Sequence, residues 1–496
     1  MKLKVKDMDI ATGGAHVVIL HHDDARLFDL HHMDRVMVKK GKKFCVAVLD
    51  IAESARAVPR GCIGLLEEVI DELDVKNGEV VDFSLAKKPN SVNLIKKKLE
   101  GEELNYDETL EIVRDITQDK LTSIELTSYV VANYAKGMSQ KEIVDLTNAM
   151  VATGNKLDFK GEMIVDLHSI GGVPGNRITM IVTPIIIAAG LKMPKTSSRA
   201  ITSPAGTADT MEVFCPVSAS IEKLKEMVDK VGGFILWGGA VNLAPADDKI
   251  IKVEHPLNID AEGQMLASIM AKKASVGITH LIMEIPMGAG AKVKTEKDAI
   301  HLRNHFEHLG VELGINLCVM MTNGSEPVGN GIGPVLEAID VLKVLKNENG
   351  PKDLREKSIS FAGALLEHCG KTKKGEGCAF ATGLLDNGSA YKKFVEMIIA
   401  QGGKTPDLKK LKLAKIKKDV IAKKSGKIIS IDNFAISKIA RLAGAPTDAE
   451  AGIYLYKHVG DKVKKGEKLY TIYSKGKESL KYSVEMSQEV EAVDVK

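Results

Sequence analysis

The sequence predicts a multidomain protein of mixed α/β and α+β class, and three observations carry that prediction. The chain has 496 residues, which corresponds to about three domains of ordinary size. Its apolar residues alternate at strand spacing near the N-terminus and recur at helical spacing in the next segment. Further on, strand-like runs are separated by helical stretches. Strands that alternate with helices are typical of a mostly parallel sheet.

Four segments follow from these patterns. Residues 1–86 should form a small β-barrel-like domain, because short apolar runs such as Arg35–Val38 are separated by turns. Residues 88–154 should form a helical subdomain. Residues 158–404 should form the central α/β domain, and residues 405–496, which begin with a lysine-rich stretch, a C-terminal α+β module.

Composition excludes several classes of function. Lys and Arg number 69 and Asp and Glu 66, which gives a net charge of +3, and aromatic residues make up 4% of the chain. A balanced charge with few aromatic side chains argues against a nucleic-acid binder. The apolar runs are too short to span a bilayer, and the N-terminus has no export signal, so we expect no membrane partner.

The cysteines indicate a reducing compartment. Six cysteines in so long a chain, with no Cys-x-x-Cys pair, are neither a disulfide framework nor a zinc site. We therefore expect a cytoplasmic protein. Cys369 and Cys378 are close enough in sequence to bridge, and the sequence does not decide whether they do.

The first candidate site is the glycine-rich turn in Asp166–Arg177, where a strand runs into a turn that opens a helix. Backbone N–H groups at such a helix start, together with a hydroxyl group, bind anions. The spacing is neither the dinucleotide fingerprint nor a P-loop. A purely structural turn is the alternative.

A second candidate site lies in Ser197–Thr207, which carries five hydroxyl groups and one guanidinium in eleven positions. Neutral donors and one arginine can bind a phosphate dianion while leaving it nucleophilic. The alternative is a surface loop whose hydroxyl groups cap helices. In a third segment, Met283–Lys294, a strand ends in glycines followed by Lys292, which could meet a second phosphate or be a solvated loop lysine.

The histidines are candidates for two roles, positioning of the substrate and metal binding. His168 follows a strand, and we expect it to position the substrate or a neighbouring group. The histidines near Asp23, and those at helical spacing from His301 to His308, could suggest a metal site. No step of the expected chemistry needs a metal, so we predict none.

The three candidate segments together resemble one enzyme family. Ser197–Glu212 is similar to the signature of the thymidine and pyrimidine nucleoside phosphorylases, and His168–Gly172 resembles their phosphate loop. Ala267–Lys273 resembles their base-binding helix, and Gly288–Ala291 a further loop. The resemblance covers roughly residues 91–484 and implies that about 255–275 joins the helical subdomain.

The chain also departs from the nucleoside phosphorylases in ways that resemble the archaeal branch of the family. Leu167 stands where they carry a lysine, and Val253 where they carry an arginine. The N-terminal segment and the run Trp237–Asp247 also resemble that branch. Its enzymes cleave nucleoside 5′-monophosphates with phosphate. The resemblance therefore implies conversion of AMP and phosphate into adenine and ribose 1,5-bisphosphate, with CMP and UMP as further candidate substrates.

The resemblance also implies roles for particular residues. Inorganic phosphate would be the co-substrate, with no organic cofactor. Asp260 would donate a proton to the departing base, although it could also be an N-cap of the following helix. The implied substrate-binding residues are Gly172, Ser198, Arg199, Ala200, Ile201, Thr202, Ser203, Thr207, Ser268 and Lys292. The implied phosphate-contacting or positioning residues are His168, Ser169, Ser197 and Lys272.

Two other functions remain open at this point. One is a pyrimidine nucleoside phosphorylase, and the other is a non-catalytic nucleotide-binding sensor. By resemblance, the helical subdomain should form a homodimer, and the N-terminal segment, which resembles double-psi barrels, should build larger homo-oligomers. The base preference is left undecided by the sequence.

Overall fold

The structure is a computed structural model, and it forms two compact units that are described separately. The first unit comprises Met1–Gly154 and Ala244–Ile269, and the second comprises Asn155–Leu243 and Met270–Lys496. The residues that the structure describes are 1–159, 161–200, 203–257, 259 and 261–496.

The first unit begins with a closed six-stranded barrel. Its elements, in chain order, are β1 (Lys2–Asp7), β2 (Val17–His21), α1 (His22–Leu27), β3 (Arg35–Lys40), β4 (Lys43–Ala52), β5 (Cys62–Leu65), α2 (Glu67–Leu73) and β6 (Val80–Leu85). The strands close in the order β1-β5-β2-β4-β3-β6. The pairs β1·β5 and β2·β4 are parallel, and the other pairs are antiparallel. Alternate residues of each strand fill the barrel with aliphatic side chains.

Four helices follow the barrel. They are α3 (Ser91–Glu100), α4 (Tyr106–Thr117), α5 (Ser123–Lys136) and α6 (Gln140–Thr153). The last three begin with capping boxes in which Asn105, Thr122 and Ser139 pair with a glutamate three positions later. Each box satisfies backbone N–H groups at the helix start, so the sequence alone specifies where these helices begin.

The second unit begins as the predicted alternation of strands and helices. Its first elements are β7 (Val165–Ser169), α7 (Ile178–Ala188), β8 (Met193–Ser197), α8 (Thr207–Glu212), α9 (Ile221–Val231) and β9 (Gly233–Trp237). Helix α7 is apolar on all sides and almost entirely buried, as a helix in the interior of a large domain should be.

The chain then returns to the first unit in the next two helices. They are α10 (Pro245–Leu257) and α11 (Glu262–Ser275). Helix α10 packs against α4, α5 and α6 in the first unit. There the Lys249 ammonium donates to the carbonyl oxygens of Ile116 and Thr117 at 3.2 and 2.9 Å. The division between the units falls inside α11, after Ile269.

The rest of the second unit completes the sheet and adds a helical layer and a C-terminal module. The remaining α/β elements are β10 (His280–Met287), α12 (Glu296–Glu312), β11 (Asn316–Asn323), β12 (Gly331–Ile332), α13 (Pro334–Leu345), α14 (Lys352–His368), α15 (Gly377–Asp386) and α16 (Ser389–Ala400). The C-terminal elements are β13 (Ile416–Ile421), β14 (Gly426–Ile431), α17 (Asn433–Leu442), β15 (Gly452–Leu455), β16 (Lys462–Val463), β17 (Lys468–Ser474), α18 (Lys477–Glu489) and β18 (Val493–Val495).

The central sheet is parallel, as predicted. Strands β7, β10 and β11 pair in the order β11-β10-β7, and β8 pairs with β9, all in parallel. A parallel bridge between Ile164 and Lys192 sets β8 beside β7. The carboxyl ends of the five strands therefore share one edge.

Two further expectations can be compared with the structure. Cys369 and Cys378 are both free thiols, so they do not form the disulfide that the sequence left open. In the part of the chain that the structure describes, every helix is too short or too polar to cross a membrane. The mixed α/β multidomain class, with a helical bundle and a C-terminal domain, is confirmed.

Candidate active site

The candidate residues of the second unit lie at the carboxyl ends of neighbouring parallel strands. His168 and Ser169 end β7, and Ser197 ends β8. Strand β10 ends at Met287, just before the loop that carries Lys292. In open α/β sheets, ligands bind at this edge, because the loops that follow the strands converge there.

Gly172 and Lys292 lie against each other. Gly172 has a φ of +90°, and a Cβ added there would lie 2.7 Å from the backbone nitrogen of Lys292. Only glycine has both the left-handed conformation and the small size that this contact requires. The structure thus joins two of the three segments that the sequence proposed as anion sites.

The loop after β8 is organised by Asp209. One carboxylate oxygen of Asp209 accepts the backbone N–H groups of Ala200 at 2.7 Å and Gly206 at 2.8 Å. This aspartate closes the Gly-Thr-x-Asp run of the sequence signature. It therefore binds Ala200 and Gly206, on either side of the loop, to one carboxylate oxygen.

Arg199 is engaged by protein carboxylates. Its guanidinium donates to Asp209 at 3.0 Å and to Glu212 at 2.6 and 2.8 Å, and it lies 5.1 Å from the centre of the Trp237 ring. Hydrogen bonds from Arg199 lower the pKa of Glu212. A phosphate contact by this guanidinium would therefore compete with two carboxylates.

The other hydroxyl-bearing positions of this segment lie on or next to the same loop. The Ser203 hydroxyl donates to the carbonyl oxygen of Ala205 at 2.8 Å, and Thr207 begins α8. The carbonyl of Ser198 accepts the N–H of Ala208 at 3.3 Å.

Three proposed residues, Ile201, Thr202 and Asp260, lie outside the described residues, so their roles remain predictions.

Helix α11, to which the sequence resemblance assigns base binding, contributes to both units. Ser268 belongs to the first unit, whereas Lys272 belongs to the second, in which the loops lie. The positive charge of Lys272 is one of the charges that lower the pKa of His168. The pKa of His168 is well below its usual value, because the ring is removed from water and lysines 273, 195 and 272 surround it. A neutral imidazole is therefore expected here at neutral pH.

A cluster of buried charges that no sequence motif indicated lies beneath this edge. Asp166 on β7 lies between two lysines: the Lys273 ammonium is 2.7 Å from one of its oxygens, and the Lys195 ammonium is 3.3 Å from the other. All three side chains are at least 96% buried. The sequence offers only a weak signal for this cluster, a lysine in the middle of the short strand that begins at Met193.

Two buried glutamates were also missed. Glu284 on β10 accepts from Asn176 at 2.9 Å and Thr322 at 2.8 Å, and the Lys357 ammonium lies 2.6 Å away. The second glutamate, Glu337 on α13, pairs with Arg177 and accepts from Thr210 at 3.0 Å. Burial raises the pKa of Glu337, an effect that Arg177 partly offsets.

The C-terminal module supports one of the loops. The side-chain amide of Asn433, at the start of α17, donates to the carbonyl oxygens of Gly290 at 3.0 Å and Gly324 at 2.9 Å. Gly290 lies two residues before Lys292 in the loop after β10. The module therefore helps to fix the loop that contacts Gly172.

The histidine cluster at the start of α1 is a poor candidate for a metal site. Donor atoms of His21, His22 and Asp23 lie within 4.8 Å of one another. However, one ring nitrogen of His21 accepts the Asp23 N–H at 3.1 Å, and a His22 ring nitrogen lies 3.0 Å from the Asp23 carboxylate. These atoms are used within the turn that begins α1.

Comparison with known proteins identifies the class. The sequence matches the model of the glycosyl transferase family a/b domain over residues 161–391 and its helical bundle domain over residues 92–154. Residues 427–492 match the pyrimidine nucleoside phosphorylase C-terminal domain. The solved structure of anthranilate phosphoribosyltransferase from Thermus thermophilus is similar, with a TM-score of 0.53 and 20% identity, over 62% of this chain and 99% of that one. The fold and the loops thus define a glycosyl transferase of the pentosyltransferase type.

Full-length relatives narrow the class. AMP phosphorylase 1 of Archaeoglobus fulgidus is 44% identical over 96% of this chain and 94% of its own. The AMP phosphorylase of Methanocaldococcus jannaschii is 43% identical over 98% of this chain and 96% of its own. A relative from Legionella pneumophila, provisionally named a thymidine phosphorylase, is 41% identical over 98% of this chain and 93% of its own. The chain belongs to the AMP phosphorylase family.

Proposed function

We propose that this enzyme catalyses the phosphorolysis of AMP. Phosphate attacks the anomeric carbon of the ribose, the bond from that carbon to the adenine nitrogen breaks, and its electron pair leaves with the base. The products are adenine and ribose 1,5-bisphosphate. CMP and UMP are further candidate substrates. The reaction uses inorganic phosphate as co-substrate, without an organic cofactor or a metal.

One observation carries the proposal. Two loops that suit anions meet at the ligand-binding edge of a parallel sheet. One contains Gly172 and the other contains Lys292, and their backbones are in contact. AMP phosphorolysis brings two phosphoryl groups to opposite ends of one ribose. Two adjoining anion sites suit such a pair of substrates, and relatives named AMP phosphorylase match nearly the whole chain.

The chain offers neutral groups for the attacking phosphate. Backbone N–H groups of the turn around Gly171 and Gly172 and the hydroxyl groups of Ser169 and Ser197 can donate hydrogen bonds to it. Such donors stabilise the charge without removing the nucleophilic lone pair. The 5′-phosphate of AMP would use the remaining loop donors and Lys292.

The product analysis tests the proposal directly. Purified enzyme is incubated with AMP and phosphate, adenine is measured by chromatography, and the sugar product is identified by phosphorus NMR. We expect equal amounts of adenine and of a sugar with two phosphoryl groups, and no adenine when phosphate is omitted. Adenosine is the matched control, because it lacks only the 5′-phosphate. Cleavage of adenosine in preference to AMP would contradict the proposal.

The same assay separates the rival functions. The pyrimidine nucleoside phosphorylase C-terminal domain and the Legionella relative favour a nucleoside substrate. Faster cleavage of uridine than of UMP would support that function. Tight AMP binding without phosphate-dependent turnover would support a nucleotide sensor.

Asp260 is proposed as the proton donor to the departing adenine. The leaving base carries negative charge unless its imidazole ring is protonated, so loss of the acid should slow the chemical step. We expect Asp260→Asn to lower kcat by about 100-fold while AMP binding is largely kept. Asp229→Asn, on the exposed face of α9, is the control and should keep full activity. Unchanged turnover in Asp260→Asn would remove this residue from the mechanism.

We also propose a role for the N-terminal barrel. Its parallel pairs β1·β5 and β2·β4 are consistent with a double-psi arrangement. The helical subdomain would form the homodimer, and the barrel would join dimers into larger homo-oligomers. Light scattering on the full chain and on a truncation starting at Lys88 tests this proposal, because the truncated protein should remain a dimer.

A further inference from the structure

The buried charge cluster and the phosphate loop lie on the same face of the sheet. Asp166 and His168 are two positions apart on β7, and Lys195 and Ser197 are two positions apart on β8. Side chains two positions apart on a strand face the same side. The cluster therefore lies roughly 6 to 7 Å below the His168 and Ser197 level, measured along the strands.

The charges in this cluster do not balance. Lys273, which is 2.7 Å from Asp166, already supplies that carboxylate with a counter-ion. Lys195 adds a second ammonium to the same buried carboxylate at 3.3 Å. A protonated Lys195 therefore leaves one positive charge in excess within the cluster. Burying an excess charge is unfavourable unless an anion compensates it.

The surroundings of Lys195 allow it to lose its proton. The pKa of Lys195 is lowered to about 7, chiefly because the side chain is buried; the charge of Asp166 opposes this lowering, and the charge of Lys273 adds to it. The other titratable groups near this cluster are His168, which is neutral, and Lys272 at the end of α11. An approaching dianion would favour the charged form of Lys195.

We propose that Lys195 takes up a proton when phosphate binds at the loop after β7, so that the cluster supplies the positive charge that compensates the dianion. The inference rests on the proposed function, because it assigns the attacking phosphate to this edge. The step is an acid–base equilibrium: a proton from the solvent adds to the Lys195 amine, and no bond to phosphate forms. Lys195 is thus a positioning residue that acts through space.

This coupling distinguishes Lys195 from a static ion pair. A lysine that stays charged would bind phosphate without exchanging protons. A lysine that is neutral in the free enzyme must gain a proton, and it does so only at a pH above its own pKa. Above pH 7, phosphate binding should therefore be accompanied by proton uptake, and below pH 7 it should not.

Isothermal titration calorimetry with inorganic phosphate measures this uptake. The full-length enzyme is titrated in two buffers of different ionisation enthalpy, at pH 6 and at pH 8, and the difference in heat gives the number of protons exchanged. Phosphate is mostly a monoanion at pH 6 and releases a proton when it binds as the dianion, so the contribution of Lys195 is the difference in uptake between the wild type and Lys195→Met. We expect this difference to be about 0.8 proton per phosphate at pH 8 and about 0.1 at pH 6.

Variants assign the proton to Lys195. In Lys195→Met, uptake at pH 8 should fall below about 0.2 proton and phosphate binding should weaken by about 10-fold. Lys195→Arg keeps a permanent charge and should bind phosphate without uptake. Lys223→Met, an exposed lysine of α9, is the matched control and should behave as the wild type.

The outcomes separate this inference from the proposed function. Phosphate binding by the wild type without proton uptake at pH 8 would overturn the role of Lys195 and leave AMP phosphorolysis standing. Unchanged uptake in Lys195→Met would overturn it as well, since another group would then be the proton acceptor. No phosphate binding by the wild-type enzyme would overturn both.

Discussion

Two buried lysine–carboxylate clusters, one in each unit, differ in a single respect. In the helical bundle, Lys98 on α3 pairs with Glu142 on α6 at 2.7 Å, and both are almost fully buried. Glu142 also accepts the N–H groups of Leu104 and Ser139 at 3.1 and 2.9 Å. This cluster has one charge of each sign. In the sheet, Lys195 and Lys273 share Asp166, so that cluster holds two positive charges and one negative charge whenever Lys195 is protonated.

The difference in balance separates a structural role from a functional one. A balanced pair needs nothing further, and it ties α3 to α6. A buried excess charge is unfavourable without a compensating anion, so the position of this cluster below the proposed phosphate-binding turn after β7 is informative.

Breaking the balanced pair should have the largest effect on stability. Lys98→Met leaves the Glu142 carboxylate buried without its counter-ion, and we expect a loss of about 3 to 5 kcal/mol in the free energy of unfolding. Urea denaturation of the full chain, followed by circular dichroism, measures it. The double variant Lys98→Met/Glu142→Gln removes both charges and should recover part of the loss. A single variant as stable as the wild type would show that the pair is dispensable.

The unbalanced cluster should show itself in the dependence of stability on pH. The pKa of Lys195 is about 7 in the folded state, against an ordinary value of 10.5. Between these two values the unfolded chain binds more protons than the folded one, so the contribution of Lys195 to stability rises with pH, by up to about 1.4 kcal/mol per pH unit. Below pH 7 Lys195 is protonated in both states, so the whole unfavourable contribution of its buried charge to the free energy of unfolding is present.

Comparison with Lys195→Met isolates this slope. Stability is measured without phosphate at pH 7, 8 and 9 for both proteins, and the difference between them should shrink as pH rises. At pH 7 the variant should be the more stable, because it has lost the excess charge while Asp166 keeps Lys273. A difference that does not change with pH would show that Lys195 keeps one protonation state throughout.

An exposed pair should show almost no effect. Lys230 lies 2.7 Å from Glu226 on α9, and its side chain is 71% exposed. Solvent screens such pairs. We expect Lys230→Met to leave the midpoint of urea denaturation unchanged within error. A clear shift would mean that burial is not what distinguishes the two internal clusters.

Much of the fold could be predicted because its signals are local. Capping boxes mark the starts of α4, α5 and α6. The alternation of strands and helices predicts the parallel sheet. The glycine-rich segments were also recognisable, because clustered glycines mark the turns that follow strands, although such a turn can also be purely structural. The structure joins two of these segments through Gly172 and Lys292.

Other parts of the site could not be predicted from the sequence. The ion pairs of Arg199 with Asp209 and Glu212 depend on the path of a loop, and so does the support that Asn433 provides to Gly290. Lys195 and Lys273 are 78 positions apart in the chain and meet only through Asp166. Nothing in their local sequence indicates the meeting.

Local sequence specifies the mixed α/β class, the helix starts, the order of strands and helices, and the glycine-rich segments that suit anions. These features depend on backbone conformation and on neighbours a few residues away. The tertiary structure decided which loops touch, which carboxylates engage Arg199 and how many charges lie beneath the phosphate loop. Those outcomes depend on distances between residues far apart in the chain, and electrostatic energy inside a protein is set by such distances and by the exclusion of water.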